Sequence, residues 1–256
     1  MGPLGRDDRG RAVGGDRRRR APRRESIAEG RWTAEKKSRI LESRRQGTGL
    51  LAGALAGLGT PPRVLVSTSA IGYYGDRGNE LLRETSEPGD LFLSKVCVEW
   101  EGAAEPARRA GIRVVHPRVG IVLTPKGGAL GQTLPIFKLG LGGKIGSGRQ
   151  YWSWITLEDV VDVMVFALEA DALEGPVNVV APDPPTNAEY TKVLGRVLGR
   201  PTLFPLPAPA ARLALGEVAD ELLLPSARVE PAKLKEAGFE YRHPELEGAF
   251  RYMLNR

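Results

Sequence analysis

Arg63-Val-Leu-Val-Ser-Thr-Ser-Ala-Ile-Gly-Tyr-Tyr-Gly75 is the stretch that decides the fold. Its first half is a short β-branched run bounded by turn residues, which reads as a buried strand. The hydroxyl- and glycine-rich half follows directly. Upstream, Thr33 is placed to cap a long helix with apolar positions at Ile40, Leu41, Leu51, Leu55 and Leu58, ended by Gly59 and the Pro61-Pro62 pair. Downstream, Asp90 caps a second predicted helix that runs through Trp100 toward Ala110, with Pro106 as its break and Gly111 as its stop. Ile112 to His116 is the next strand. Such a helix–strand alternation implies right-handed crossovers and a parallel sheet.

The rhythm continues. Tyr151 to Ile155 reads as a strand, and Thr156-Leu-Glu-Asp159 resembles a capping box opening a helix to about Ala170. Pro176 to Val180 is another strand, and Thr186-Asn-Ala-Glu189 is a true capping box whose helix ends at Gly199. Past Pro205 the pattern becomes helical pieces, including Pro231 to Ala237 and Pro244 to Met253.

Charge is distributed unevenly. The chain has 256 residues and a net charge of +6, all of it within residues 1–24, which hold nine Arg and three Asp. Residues beyond 24 carry equal numbers of acidic and basic side chains. A nucleic-acid role therefore rests on that Arg/Gly-rich tail alone. The tail has few packable residues and is expected to be disordered. No run of 18 apolar residues indicates a membrane span. A single cysteine, Cys97, excludes an intrachain disulfide and fits a cytoplasmic location. Two histidines, His116 and His243, make no metal cluster with it, and Ser69 has no histidine partner for a hydrolase triad.

Ligands of open parallel sheets sit beyond the carboxyl ends of strands, so Ser69, Tyr73 and Tyr74 are candidate site residues. Ser69 would hydrogen-bond a substrate oxygen, and either tyrosine would act as acid or base if a cation such as Lys95 lowered its pKa. The competing reading is a serine-capped turn with tyrosines packed at a domain edge. Arg118, after the next strand, and Arg149, closing the Gly-rich run from Gly140, suit an anionic group. That run is not a P-loop, because no Gly-Lys-Ser/Thr opens a helix after a strand.

Several blocks together resemble the atypical epimerase family of the extended short-chain dehydrogenases/reductases. They are Glu29 to Lys37, Ser43 to Thr48, Ser69-Ala-Ile-Gly-Tyr-Tyr-Gly-Asp76, Pro117 to Leu123, Leu139 to Tyr151 and Trp154 to Asp159, with residues 201–254 similar to the family's small C-terminal domain. The resemblance implies an α/β fold: an incomplete Rossmann-type doubly wound parallel sheet over residues 27–200, a small mainly helical C-terminal domain over 201–256, and a tail over 1–26. It implies NAD or NADP as cofactor, a nucleotide-sugar-like or other anionic small substrate, and cofactor contacts from Ser67, Lys95, Pro117 and Val119. Ser69 matches the catalytic serine and Lys95 the lysine of the family's Tyr-x-x-x-Lys pair. The tyrosine position is then Leu91, and Tyr74 matches a site tyrosine that is not the usual acid/base. Family members begin with a strand, a Gly-x-x-Gly-x-x-Gly turn and a helix, and nothing of that kind precedes Ile27. The expectation is therefore an NAD(P)-dependent epimerase or reductase with impaired cofactor binding; the alternative is a non-enzymatic small-molecule-binding or regulatory protein on the same fold.

Overall fold

The computed structural model describes residues 25–27 and 30–256. The predicted tail lies almost wholly outside those residues. The first described helix, α1 (Ala34–Ala56), begins as expected: the Thr33 hydroxyl accepts from Lys36 N at 3.2 Å. Strand β1 (Val64–Val66) and the short β2 (Ser69–Ala70) follow, then a 3-10 turn at Ile71–Tyr74 and β3 (Leu81–Leu82). Helices α2 (Phe92–Gly102) and α3 (Glu105–Arg109) lead into β4 (Arg113–Val119).

Both predicted features of the second helix shift. Asp90 is not its cap; Leu91 holds that position without a side-chain bond. The first amides of α2 are instead satisfied by a carboxylate far along the chain: Phe92 N and Leu93 N donate to Glu221 at 2.9 and 3.0 Å. The break falls before Pro106, which sits in the first turn of α3, where its missing N–H costs nothing.

The second half comprises β5 (Ile121–Leu123), α4 (Gly128–Lys138), β6 (Trp154–Thr156), α5 (Leu157–Glu169) and β7 (Gly175–Val179). Next come α6 (Asn187–Leu198), α7 (Ala208–Leu215), a π-helical turn at Ala219–Leu223, β8 (Arg228–Val229), α8 (Ala232–Glu236) and α9 (Leu246–Leu254). The Thr186–Glu189 capping box is present with both reciprocal bonds, and Gly199 ends α6 at φ +64°.

The main sheet is parallel, as the crossovers require. β1 and β2 are two pieces of one strand line along the same side of β4, joined by Ser67 N donating to Val115 O at 2.9 Å, and β7 pairs with the other side of β4. Among the described residues β1 pairs with β4 alone. Alternation along the strands sorts the two faces. Leu65 and Val114 join Ala52 of α1, Ala104 just before α3 and Ala107 of α3 on one face. Val64, Val66 and Val115 join Val163 and Ala167 of α5 and Leu234 of α8 on the other. Helices thus cover both faces, a doubly wound Rossmann-like arrangement. Two further parallel pairs, β5·β6 and β3·β8, stand beside this sheet. The β3·β8 pair ties the C-terminal segment to the loop after Tyr74, so that segment is stitched to the sheet.

Candidate functional site

Beyond the carboxyl ends of β2 and β4 lies a cavity of about 290 Å³. Its floor comes from Ala70, Ile71 and Gly72 after β2 and from Gly120 and Ile121 after β4. One wall is the buried face of α2, where Leu93, Val96, Cys97 and Trp100 recur at helical spacing. The opposite wall is Trp152, Ser153 and the segment around the π-helical turn, with Leu222, Pro225 and Ala227. Close backbone approach shapes the floor: a Cβ on Gly120 would sit 2.7 Å from Ser153 O and from Val180 Cγ1.

Polar groups are sparse here. Glu221 and Arg44 are the charged side chains lining the cavity among the described residues. Glu221 is held by the α2 amides, a position the helix dipole favours. The Arg44 guanidinium donates to the carbonyls of Ile40 and Glu25 at 3.0 and 3.3 Å and lies 5.3 Å from the Trp100 ring. The π-turn wall is fastened by Gln150 Nε2 and Trp152 Nε1, both donating to Leu223 O at 3.3 Å, and by Ser153 Oγ donating to Ala227 O at 2.7 Å.

Ser69 is buried at the start of β2, next to Ala70 of the cavity floor, and is not itself a lining residue. Its Oγ has no hydrogen-bond partner of ordinary geometry, which is costly for a buried hydroxyl. The polar group beside it is the Cys97 thiol, a poor acceptor, which itself points at Ala70 O at 3.7 Å. Burial pushes the Cys97 thiol up to about 11.

Ser69 stands apart from the other residues singled out by sequence. Arg118 is 3% exposed and committed internally. Its Nε and Nη2 donate to the two Glu101 oxygens at 2.9 Å each, its Nη1 donates to Tyr74 Oη at 3.0 Å and Glu84 O at 3.3 Å, and its guanidinium lies 3.4 Å from the Tyr73 ring centre. Burial is the largest influence and opposes its charge, but the hydrogen bonds and charge interactions with Glu101 and Tyr74 together outweigh it and raise its pKa. Tyr74 is fully buried and donates to Asn178 Oδ1 at 2.6 Å. Burial lifts its phenol to about 12, despite the nearby Arg118. These residues form one buried network rather than a wall of the cavity, and the pair of tyrosines is clamped from outside: a Cβ on Gly89 would meet Tyr74 O at 2.3 Å.

Lys95 is exposed and lines a separate open groove between α1 and α2, with Arg45, Phe92 and Glu99. Leu91, the position of the expected tyrosine, does line the cavity. Ser67, Pro117 and Val119 pack within the sheet; Ser67 O lies 3.2 Å from His116 Nδ1. Burial lowers the His116 pKa. Arg149 is exposed at the end of the Gly-rich loop. That loop is filled by its own protein: a Cβ on Gly143 would lie 2.1 Å from Phe204 O, Leu206 N donates to Lys144 O at 2.8 Å, and Ala188 N donates to Gly148 O at 2.9 Å. Sequence reasoning missed Glu221 and Arg44, which carry no local signal.

A parallel sheet with helices on both faces and a cavity past its strand ends defines a Rossmann-type α/β protein with the ligand site of that class. The chain belongs to the epimerase family of the extended short-chain dehydrogenases/reductases. It is 44% identical over 231 residues to epimerase family protein Mb2239 of Mycobacterium bovis, covering 90% of this chain and 76% of that protein. The structure of human epimerase family protein SDR39U1 (isoform 2) with NADPH matches at 35% identity and a TM-score of 0.86, over 91% of this chain and 79% of that one. A nucleoside-diphosphate sugar epimerase from Corynebacterium glutamicum matches at 36% identity and a TM-score of 0.72, over 88% of this chain and 44% of that one. Residues 206–253 match a domain of unknown function, DUF1731. No helix among the described residues is long and apolar enough to cross a membrane, and no cluster of metal-ligating side chains occurs among them.

Proposed function

We propose that this chain is a nicotinamide-dependent oxidoreductase or epimerase whose reacting groups meet in the cavity beyond β2 and β4. The observation that carries the reading is Ser69, a buried hydroxyl without a hydrogen-bond partner of ordinary geometry, set in a parallel strand behind Ala70 of the cavity floor. The human relative bound to NADPH supports the choice of cofactor.

The described residues fit the nicotinamide end of such a cofactor. The apolar walls of Leu93, Val96, Trp152 and Leu222 suit a flat ring, and the Ser69 hydroxyl lacks an acceptor of ordinary geometry that a substrate oxygen would supply. They do not fit its pyrophosphate, because the Gly-rich loop packs on Phe204 and Leu206 and, among the described residues, no other glycine turn opens a helix onto the cavity. The affinity of the described residues for NAD or NADP is accordingly weak. A nicotinamide cofactor held there would supply the hydride chemistry. Ser69 donates a hydrogen bond to the oxygen on the reacting carbon and holds it in place. Trp152, Leu222 and Leu93 exclude water. Glu221 keeps the α2 wall in position through the helix amides. Arg118 and Tyr74 support the Ser69 strand from behind.

A second reading, a small-molecule-binding protein without hydride chemistry, is favoured by Leu91 at the tyrosine position and by the absence of an acid/base side chain facing Ser69 among the described residues. NADPH consumption with a panel of carbonyl compounds separates the two. Ser69→Ala is expected to lower kcat by about a hundredfold, the worth of one donor aimed at developing charge. Full turnover in that variant removes Ser69 from the mechanism, and no turnover in the wild type favours the binding protein.

A further inference from the structure

We infer that the substrate is a compact, mainly apolar carbonyl compound or alcohol rather than a nucleotide sugar. The inference rests on the cavity being the substrate site and deepens that reading. At about 290 Å³ the cavity lies at the low end of small-molecule sites, roughly 300–1,000 Å³. A ring beside Ser69 takes part of that space, which leaves room for a small partner and not for base, ribose, pyrophosphate and hexose together.

The lining chemistry points the same way. Aromatic and aliphatic side chains dominate, with Trp100, Trp152, Leu93, Val96, Ile121 and Leu222 giving walls whose two indole N–H groups already donate to Thr48 Oγ1 and Leu223 O. A pyrophosphate needs cations or a row of backbone amides. Arg44, the cation lining the cavity, is turned to the Ile40 and Glu25 carbonyls and to Trp100. The row of amides at the start of α2 is already filled by the Glu221 carboxylate, which would also repel a phosphate. Arg118 and Arg149, the cations that sequence offered for an anionic group, lie in a buried network and on the exterior. What remains for recognition is the Tyr151 hydroxyl on the wall and the Ser69 hydroxyl buried behind Ala70 of the floor, since Ser153 Oγ is committed to Ala227 O and Val229 N, with apolar surface for the rest of the molecule. Leu91 at the tyrosine position extends that apolar surface.

The test is calorimetric titration of the full chain with benzylacetone, a small aromatic ketone, and separately with UDP-glucose. We expect benzylacetone to bind at least about tenfold more tightly, equal to ~1.4 kcal/mol. Leu222→Trp, at a half-buried position, should fill the cavity and abolish that binding; Ile121→Trp serves if the first variant does not fold by circular dichroism. No benzylacetone binding, a ratio below about tenfold, or unchanged affinity in a folded filled variant overturns the inference. If neither variant folds, the wild-type ratio alone decides. NADPH is titrated independently, so failure of the cofactor reading and failure of the substrate class are separate results.

Discussion

Replacing Arg118 by Met removes one partner of a buried ion pair and leaves the other in place. The guanidinium gives two 2.9 Å bonds to Glu101 and one 3.0 Å bond to Tyr74, with Arg118 3% and Glu101 13% exposed. The surviving carboxylate then has neither its cation nor bulk water. Removing one member of such a pair costs about 3–5 kcal/mol, whereas replacing both by apolar residues of similar volume is near neutral. Loss of the guanidinium from the Tyr73 ring, 3.4 Å away, adds to the cost. Against a total stability of about 5–15 kcal/mol, Arg118→Met should be severely destabilised. The assay is equilibrium unfolding in urea followed by circular dichroism, on Arg118→Met and on Arg118→Met/Glu101→Leu. We expect the double variant to recover most of the loss. A single variant within about 1 kcal/mol of wild type, or a double variant no more stable than the single, refutes the reasoning. A stable Arg118→Met that loses ligand binding would return Arg118 to the substrate.

Gly143→Ala forces a Cβ to within 2.1 Å of Phe204 O and should cost about 1–3 kcal/mol by urea unfolding, while Gly248→Ala in α9, with nothing within 4 Å, should be stabilising by about 0.5–1 kcal/mol. Asp159 accepts from Arg242 N at 2.7 Å and His243 N at 3.3 Å while fully buried, so Asp159→Ala should cost about 2–4 kcal/mol and speed amide hydrogen exchange at those two residues. Cys97 loses its proton near 9 in the open chain and at about 11 when folded. The folded state therefore holds the proton longer, and its advantage, present below pH 9, is lost as pH rises to 11. Urea unfolding should show the wild type losing roughly 2–3 kcal/mol more than Cys97→Ala across that interval. Parallel pH curves for the two proteins would contradict the buried thiol.

The elements legible in the sequence are those written in contiguous residues. Thr33, Thr186-x-x-Glu189 and Gly199 act within one helical turn, and the Val64–Val66 run needs only its own β-branched side chains to read as a buried strand. The site was legible only to the level of which strand ends face it. Ser69 was singled out because its hydroxyl follows a buried strand. Arg118 was misplaced because its partner, Glu101, lies on α2, and nothing in either segment marks the pairing. Asp90 satisfied the local rule for a helix cap, yet Glu221, 129 residues from Phe92, supplies both bonds from the π-helical turn. The Gly-rich loop gave the right composition for a phosphate cradle, but its glycines admit the backbone at Phe204. Each failure is a long-range contact that overrode a local signal.

Saturation-transfer NMR with NADP⁺ tests the central claim most directly, since it reads weak binding and identifies the part of the ligand in contact. If the cavity beyond β2 and β4 seats the nicotinamide and the described residues hold no pyrophosphate or adenosine, the nicotinamide ring protons should receive the stronger saturation, and benzylacetone should remain bound beside them. Saturation concentrated on the adenine protons, or none on either ring, would contradict the placement of the reacting groups at Ser69.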